Sequence, residues 1–343
     1  MAYSTIPKSS SYFNTVTYTG NGTASTALTT GTFQPDFCWF KNRGTVENHV
    51  LINAIRGASY NIASNLTRAE TNVPDKVSAF TSTGVTLGSS AETNENNEPL
   101  VAWNWKANGS GSANGDGSIN STVSVDTTSG FSIVSYTGTG SNATVGHGLG
   151  VAPSMIITKS LVATQEWCVY HKSLGATKYL FLNETSAEQT GSVYWQDTAP
   201  TSSVFSIGAS GPTNSTSAMI AYCFADIQGY SKFGSYYGNG GSGEPFIYTG
   251  FKPAFIITRN VTSAVNWGMF DDKRNSFNVV QNVLLPDNSA SETTGTAKYF
   301  DFLSNGFKVK NDSLQYNGTN EKHIYMAFGQ PIVSTNGDIA TAR

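Results

Sequence analysis

Apolar and polar residues alternate with a period of two in Phe131-Ser132-Ile133-Val134-Ser135-Tyr136, in Ser203-Val204-Phe205-Ser206-Ile207-Gly208 and in Gly306-Phe307-Lys308-Val309-Lys310. That spacing predicts half-buried strands. A second kind of run is apolar at consecutive positions, as in Phe255-Ile256-Ile257-Thr258, and predicts central strands covered on both faces. Turn dipeptides punctuate both kinds, among them Asn21-Gly22, Asp116-Gly117, Asn305-Gly306 and Asn317-Gly318. Amphipathic helical stretches are almost lacking, the best running from Ser64 to Glu70. The pattern predicts an all-β chain of antiparallel β-sandwich-like units with few short helices.

The strand pattern recurs three times. Tyr18-Thr19-Gly20, Tyr136-Thr137-Gly138 and Tyr236-Tyr237-Gly238 each open a unit. Seventeen positions on stand Pro35, Pro153 and Pro253, and six further come the bases Lys41, Lys159 and Arg259. Eight beyond these lie His49, Trp167 and Trp267, each leading an apolar run. Val101-Ala102-Trp103-Asn104-Trp105, Ile220-Ala221-Tyr222-Cys223-Phe224 and Ile324-Tyr325-Met326-Ala327-Phe328 supply closing strands. Asn65 and Glu70 match Asn183 and Glu188, while Glu292 of the third copy arrives a few residues late. Units of about 100 residues have the size of independent domains and argue against a solenoid of short repeats. The expected organisation is a docking arm over 1–14, repeats over 15–107, 130–226 and 227–331, a Gly/Ser/Asn-rich linker and entry to the second repeat over 108–129, with 108–117 of flexible-linker composition, and a tail over 332–343.

Composition narrows the function classes. Charged residues make up 13% of the chain, about half the usual share, and the net charge of −3 is spread singly, so nucleic acid is not an expected partner. No apolar run reaches the length of a membrane helix, and Met1 to Phe13 lack the apolar centre of a signal peptide. Cys38, Cys168 and Cys223 sit in apolar runs without metal-ligand spacing and are expected as buried free thiols. The histidines are dispersed, so neither a metal nor a cofactor is expected. Gly-rich segments lead into strands rather than helices, which disfavours a phosphate loop, and a Gly-x-Ser-x-Gly elbow is lacking.

Two constellations are candidate sites. Asn53 with Arg56, recurring as Asp271 with Arg274, could form a polar surface site, and the second copy carries His171 and Leu174 there. Tyr194, Trp195 and Asp197, which have no aromatic counterpart in the other copies, could stack on and hydrogen-bond a glycan. Paired carboxylates of a depolymerase are not revealed by short spacing, so no catalytic residue is assigned and the chain is not expected to be an enzyme.

The opening Tyr-Thr-Gly, the strand ending in Lys41-Asn42-Arg43, the Arg56-Gly57 turn and the closing Val101 to Lys106 together resemble a repeat of virion proteins of tailed phages, especially marine ones. The resemblance covers residues 12 to 343. It implies a virion structural or tail-fibre protein, made in a host cytoplasm and placed on the particle. Partners would be other virion proteins, host-surface glycans and further copies of the chain, with a homotrimer expected for a fibre. A capsid decoration protein is the alternative, and a polysaccharide depolymerase the third reading.

Overall fold

The computed structural model describes residues 4–241, 243–294 and 297–333. The fold is all-β and its sheets are antiparallel. In each repeat the closing strand pairs on one side with the strand that carries the opening tyrosine and on the other with the post-proline strand. These trios are Phe13–Thr19, Pro99–Trp105 and Phe37–Asn42; Phe131–Thr137, Ala218–Phe224 and Met155–Ser160; and Ser231–Tyr237, Lys322–Pro331 and Phe251–Asn260. A four-residue strand follows on the far side of each trio: Val50–Asn53, Cys168–His171 or Gly268–Asp271. A smaller sheet of two or three strands packs over one face, and the alternating segments lie there as Val204–Ile207 and Gly306–Val309.

The consecutive apolar positions of the post-proline strands have a specific cause. Along Phe37–Asn42, Cys38 and Phe40 point into the first repeat's own sandwich with Val77, Val85 and Leu87. Phe37 and Trp39 point the other way, into a core shared by all three repeats. Phe131, Ile157, Tyr222 and Phe224 enter that core from the second repeat, and Phe233, Phe255, Met326 and Phe328 from the third. Aromatic pairs bridge every seam: Phe37 to Tyr222 at 4.4 Å between centroids, Phe13 to Phe255 at 5.3 Å and Phe224 to Phe328 at 6.1 Å. The large sheets therefore bury both faces, and the three repeats share one core.

The opening signature is scaffold. The hydroxyls of Tyr18, Tyr136 and Tyr236 donate to the carbonyls of Thr93, Thr213 and Tyr316 at 2.6, 2.5 and 2.8 Å, in the short helices that precede the closing strands. Each helix ends on a buried asparagine, Asn94, Asn214 or Asn317. Its side-chain oxygen accepts from the N–H of Asn21, Thr139 or Asn239 in the loop after the tyrosine. Gly20, Gly138 and Gly238 pass so close to the main chain after those helices that a Cβ would collide with it, which is why glycine follows.

Three expectations change. The segment at 108–129 does enter the second repeat, but its 108–117 stretch is not a loose linker: Ser112–Asn114 pairs with Ser121–Asp126, which pairs with Phe131–Thr137. Its Gly and Ser content obscured the alternation of Val123 and Val125. Of the 1–14 arm, residues 1–3 lie outside the described residues, but Ser4 and Ile6 are buried, Ile6 in the shared core. Burial of Ile6 fastens the arm to its own molecule. Ser64 to Glu70 form no helix, because their main-chain groups bind a neighbouring repeat. Of the 332–343 tail, 334–343 lie outside the described residues. Cys38, Cys168 and Cys223 are free and buried, as expected.

Candidate functional site

The seams between repeats are built from equivalent residues. The strap of each repeat, 63–70, 181–188 or 285–292, lies against the next repeat. Glu70 N–H donates to Leu161 O at 2.9 Å, Glu188 N–H to Val261 O at 2.8 Å, and Glu292 N–H to Arg43 O at 2.9 Å. The repeated bases answer from the other side: Lys159 Nζ reaches Thr67 O at 3.0 Å, Arg259 Nη2 reaches Ser186 O at 2.7 Å, and Lys41 Nζ reaches Ser289 O at 3.2 Å. The third set is aromatic. Trp167 Nε1 donates to Ala63 O, Trp267 Nε1 to Phe181 O, and His49 Nε2 to Leu285 O, at 2.9, 3.1 and 2.9 Å. The first repeat docks on the second, the second on the third and the third on the first, so the chain closes into a pseudo-threefold ring.

These groups are dehydrated, and their titration follows. Burial pushes Lys41 and Lys159 down to about 8 and His49 down to about 3. His49 is held neutral, with Nδ1 accepting from Trp39 Nε1 at 2.8 Å. Asp287 occupies the place of Asn65 and Asn183, whose amide oxygens accept the main-chain N–H of His49 and Trp167. Burial pushes its carboxyl up to about 7, against the attraction of Arg259.

Asn53, Arg56, Asp271 and Arg274 are not a surface site. Asn53, Asp271 and Arg274 are buried, the Arg56 side chain is only 4% exposed, and the first member of each pair reaches across a seam. Asn53 Nδ2 donates to the Tyr222 hydroxyl at 2.9 Å, Asp271 Oδ2 accepts from Trp103 Nε1 at 3.0 Å, and His171 Nε2 at the matching position donates to Tyr325 O at 3.2 Å. Arg274 binds Asp271 and, at 2.7 Å, Glu292, while Arg56 pairs with Glu70. Where the second repeat has Leu174 instead of arginine, Glu188 pairs with Lys178. Three-residue spacing signalled the arginine brace, but the seam across from it joins residues more than 150 positions apart.

The Tyr194, Trp195 and Asp197 platform is not formed either. Trp195 is buried in the second sandwich, Tyr194 stacks on Tyr179 with centroids 3.7 Å apart, and only Asp197 is exposed. Burying the large indole closes the end of a sandwich whose small sheet has two strands. Among the described residues, the aromatic rings most open to solvent belong to the third repeat: Tyr237, Phe246, Tyr248 and Phe277.

A groove of about 470 Å³ runs there beside the Ser231–Tyr237 strand, lined by Asp226, Gln228, Ser231, Lys232, Tyr248 and Gly250 among others. Lys232 Nζ donates to Tyr248 O at 2.8 Å and lies 5.3 Å from the centre of its ring. Asp226 accepts from Phe233 N–H at 2.7 Å and from Ser154 Oγ at 3.0 Å, and pairs with Lys172. The groove brings together an aromatic face, a cation and a carboxylate. Aligning the repeats by their strand pairing signals it, since Tyr248 stands where the others have Thr29 and Gly146. Among the described residues no group of three His, Cys, Asp or Glu is placed to hold a metal ion, and no helix is long and apolar enough to cross a membrane.

A family model described as a domain of unknown function (DUF7483) matches residues 8–331. The chain belongs to this family. The matched span takes in all three repeats, so the DUF7483 unit corresponds to the whole ring. No curated protein and no solved structure matches the chain.

Proposed function

We propose that this DUF7483 chain is a structural protein of a tailed-phage particle, docked as a single-chain knob on a tail appendage and carrying its contact surface on the third repeat. The observation that supports this most is the closed ring of equivalent seams. The conspicuous repeated polar side chains, Lys41, Asn53, Asp271 and Arg274 among them, are consumed in holding repeats together, and a rigid body with exposed loops remains. In this reading one chain supplies the threefold arrangement that a fibre would otherwise obtain from three subunits, so the chain acts as a monomer. A second reading, decoration of the capsid, draws on the same pseudo-threefold form, which matches a threefold position of a head lattice.

The test is reconstruction of intact particles by electron cryomicroscopy, with mass spectrometry of purified virions. Three-lobed density on the tail supports the appendage reading, and density on the head lattice transfers the assignment to decoration. Absence of the chain from purified particles overturns both.

A further inference from the structure

The second and third repeats differ at one edge. In the second, Ser121–Asp126 is laid antiparallel on the outer edge of Phe131–Thr137, with Ser124 opposite Ile133 and Val125 opposite Ser132. Val123 and Val125 pack toward Gly148, where an added Cβ would already come within 3.1 Å of Val123. In the third repeat the corresponding strand, Ser231–Tyr237, is an edge strand. It is entered from the turn after Ala225, so among the described residues no strand is laid on that edge, and the groove lies at the start of the strand, where Val125 and Asp126 would be.

We infer that the outer edge of Ser231–Tyr237 is a docking site for an extended segment of a partner protein, added as an antiparallel strand in the place that Ser121–Asp126 fills in the second repeat. The edge is built for it. Phe233 N–H is met by the Asp226 carboxylate at 2.7 Å rather than by a strand, which identifies the edge that odd-numbered residues face. By the alternation of antiparallel ladders Ser235 and Tyr237 present their main-chain groups on the same side. Lysine commonly guards such edges, but Lys232 folds back onto Tyr248 instead. The internal precedent also specifies the occupant: polar residues alternating with small β-branched ones, as in Ser121-Thr122-Val123-Ser124-Val125. The position of Gly148, against which Val123 and Val125 pack, is held by Gly250 in the third repeat, likewise with a positive φ, so inward side chains of valine size fit there. Main-chain hydrogen bonds would supply affinity and the alternation specificity. The inference stands on the comparison of repeats and is independent of where the protein resides.

The probe is a synthetic peptide with the sequence of residues 119–127, titrated into the full chain, with amide hydrogen exchange read along 231–237. Saturable binding with slowed exchange at Ser235 and Tyr237 is expected. A peptide with lysine at both valine positions should bind at least about tenfold more weakly, as should the wild-type peptide to Ser235→Pro, which removes an outward N–H. If that variant does not fold, the lysine peptide against the unaltered chain decides alone. Binding indifferent to the valines, amides of 231–237 unchanged on peptide addition, or protection at 131–137 or 13–19 instead overturns the inference. So does a concentration-dependent dimer of the chain that Ser235→Pro abolishes, which would assign the edge to a second copy.

Discussion

Trp103 donates its indole N–H to the buried carboxylate of Asp271, 3.0 Å away across the seam between the first and third repeats. The same carboxylate binds Arg274, which in turn binds Glu292. Asp271→Ala would leave an indole and a guanidinium without their partner in a dehydrated seam. Losing one member of such a network costs about 3–5 kcal/mol, and urea unfolding is expected to report a loss in that range. The outcome that would sink this account is a change within about 0.5 kcal/mol, the size of a surface substitution.

Ring closure predicts one cooperative transition. A fragment of residues 108–226 alone would expose Phe131, Ile133, Ile157, Trp167, Tyr222 and Phe224, which the intact chain buries in the shared core. Calorimetry of the full chain should give a single unfolding peak, and the fragment should be insoluble or self-associate. Three separable transitions would mean that the repeats are independent domains.

Asp287 sets a pH dependence of unusual sign. Its carboxyl is raised to about 7 in the folded chain, against roughly 4 when unfolded. Between those values the folded state binds the extra proton, so this residue's contribution to stability is full below about pH 4 and is lost as pH rises toward 7. Asp287→Asn restores the residue type of Asn65 and Asn183, and should raise stability at pH 7 by about 1–2 kcal/mol while removing that part of the slope. Chemical denaturation of both proteins at pH 5 and pH 7.5 measures it, and equal gains at the two pH values would refute it.

The histidines pull the other way. His49 is lowered to about 3, and His171 and His323 to about 4, each first by burial. The unfolded chain therefore takes up protons first as pH falls below about 6.5. Their contribution is full above that value and is lost as pH falls toward 4, where the ring should lose several kcal/mol. One group suffices for the check: His171→Gln, which keeps a donor near Tyr325 O, should flatten the stability profile between pH 6.5 and 4 relative to the parent. A profile of unchanged slope would contradict neutral burial of His171.

Asn94, Asn214 and Asn317 are equivalent loop anchors. Asn214 Nδ2 donates to Gly208 O and Ser141 O at 2.9 and 2.6 Å, and its Oδ1 accepts Thr139 N–H at 2.7 Å. Asn214→Ala leaves these groups unpaired and should cost about 2–3 kcal/mol, read as a fall in melting temperature. A fall in the second repeat's loop protection without global destabilisation would instead confine the anchor to a local role.

Local pattern was enough for the elements. Period-two alternation, the recurrent prolines and the turn dipeptides depend on neighbours within a few residues, so the strands at Phe131–Thr137 and Gly306–Val309 and the threefold repeat could be read along the chain. Consecutive apolar residues at Phe37 to Phe40 also announced that both sheet faces are covered, since each residue's burial class is written in its own side chain.

What covers the second face depends on contacts made only in the folded chain. Phe37 meets Tyr222, Asn53 meets the same tyrosine, and Asp271 meets Trp103, through contacts between residues far apart in sequence, and nothing in the local spacing of Asn53 and Arg56 distinguishes a surface brace from a dehydrated seam. The same limit misplaced Trp195, whose burial depends on the second sandwich closing over it, and the 108–129 segment, whose strands exist because Phe131–Thr137 offers them an edge. A threefold β-repeat of sandwiches is legible in the chain. Closure into one ring, which turns repeated polar residues into seams and leaves the third repeat's edge as the place to bind, follows from packing free energy shared among repeats.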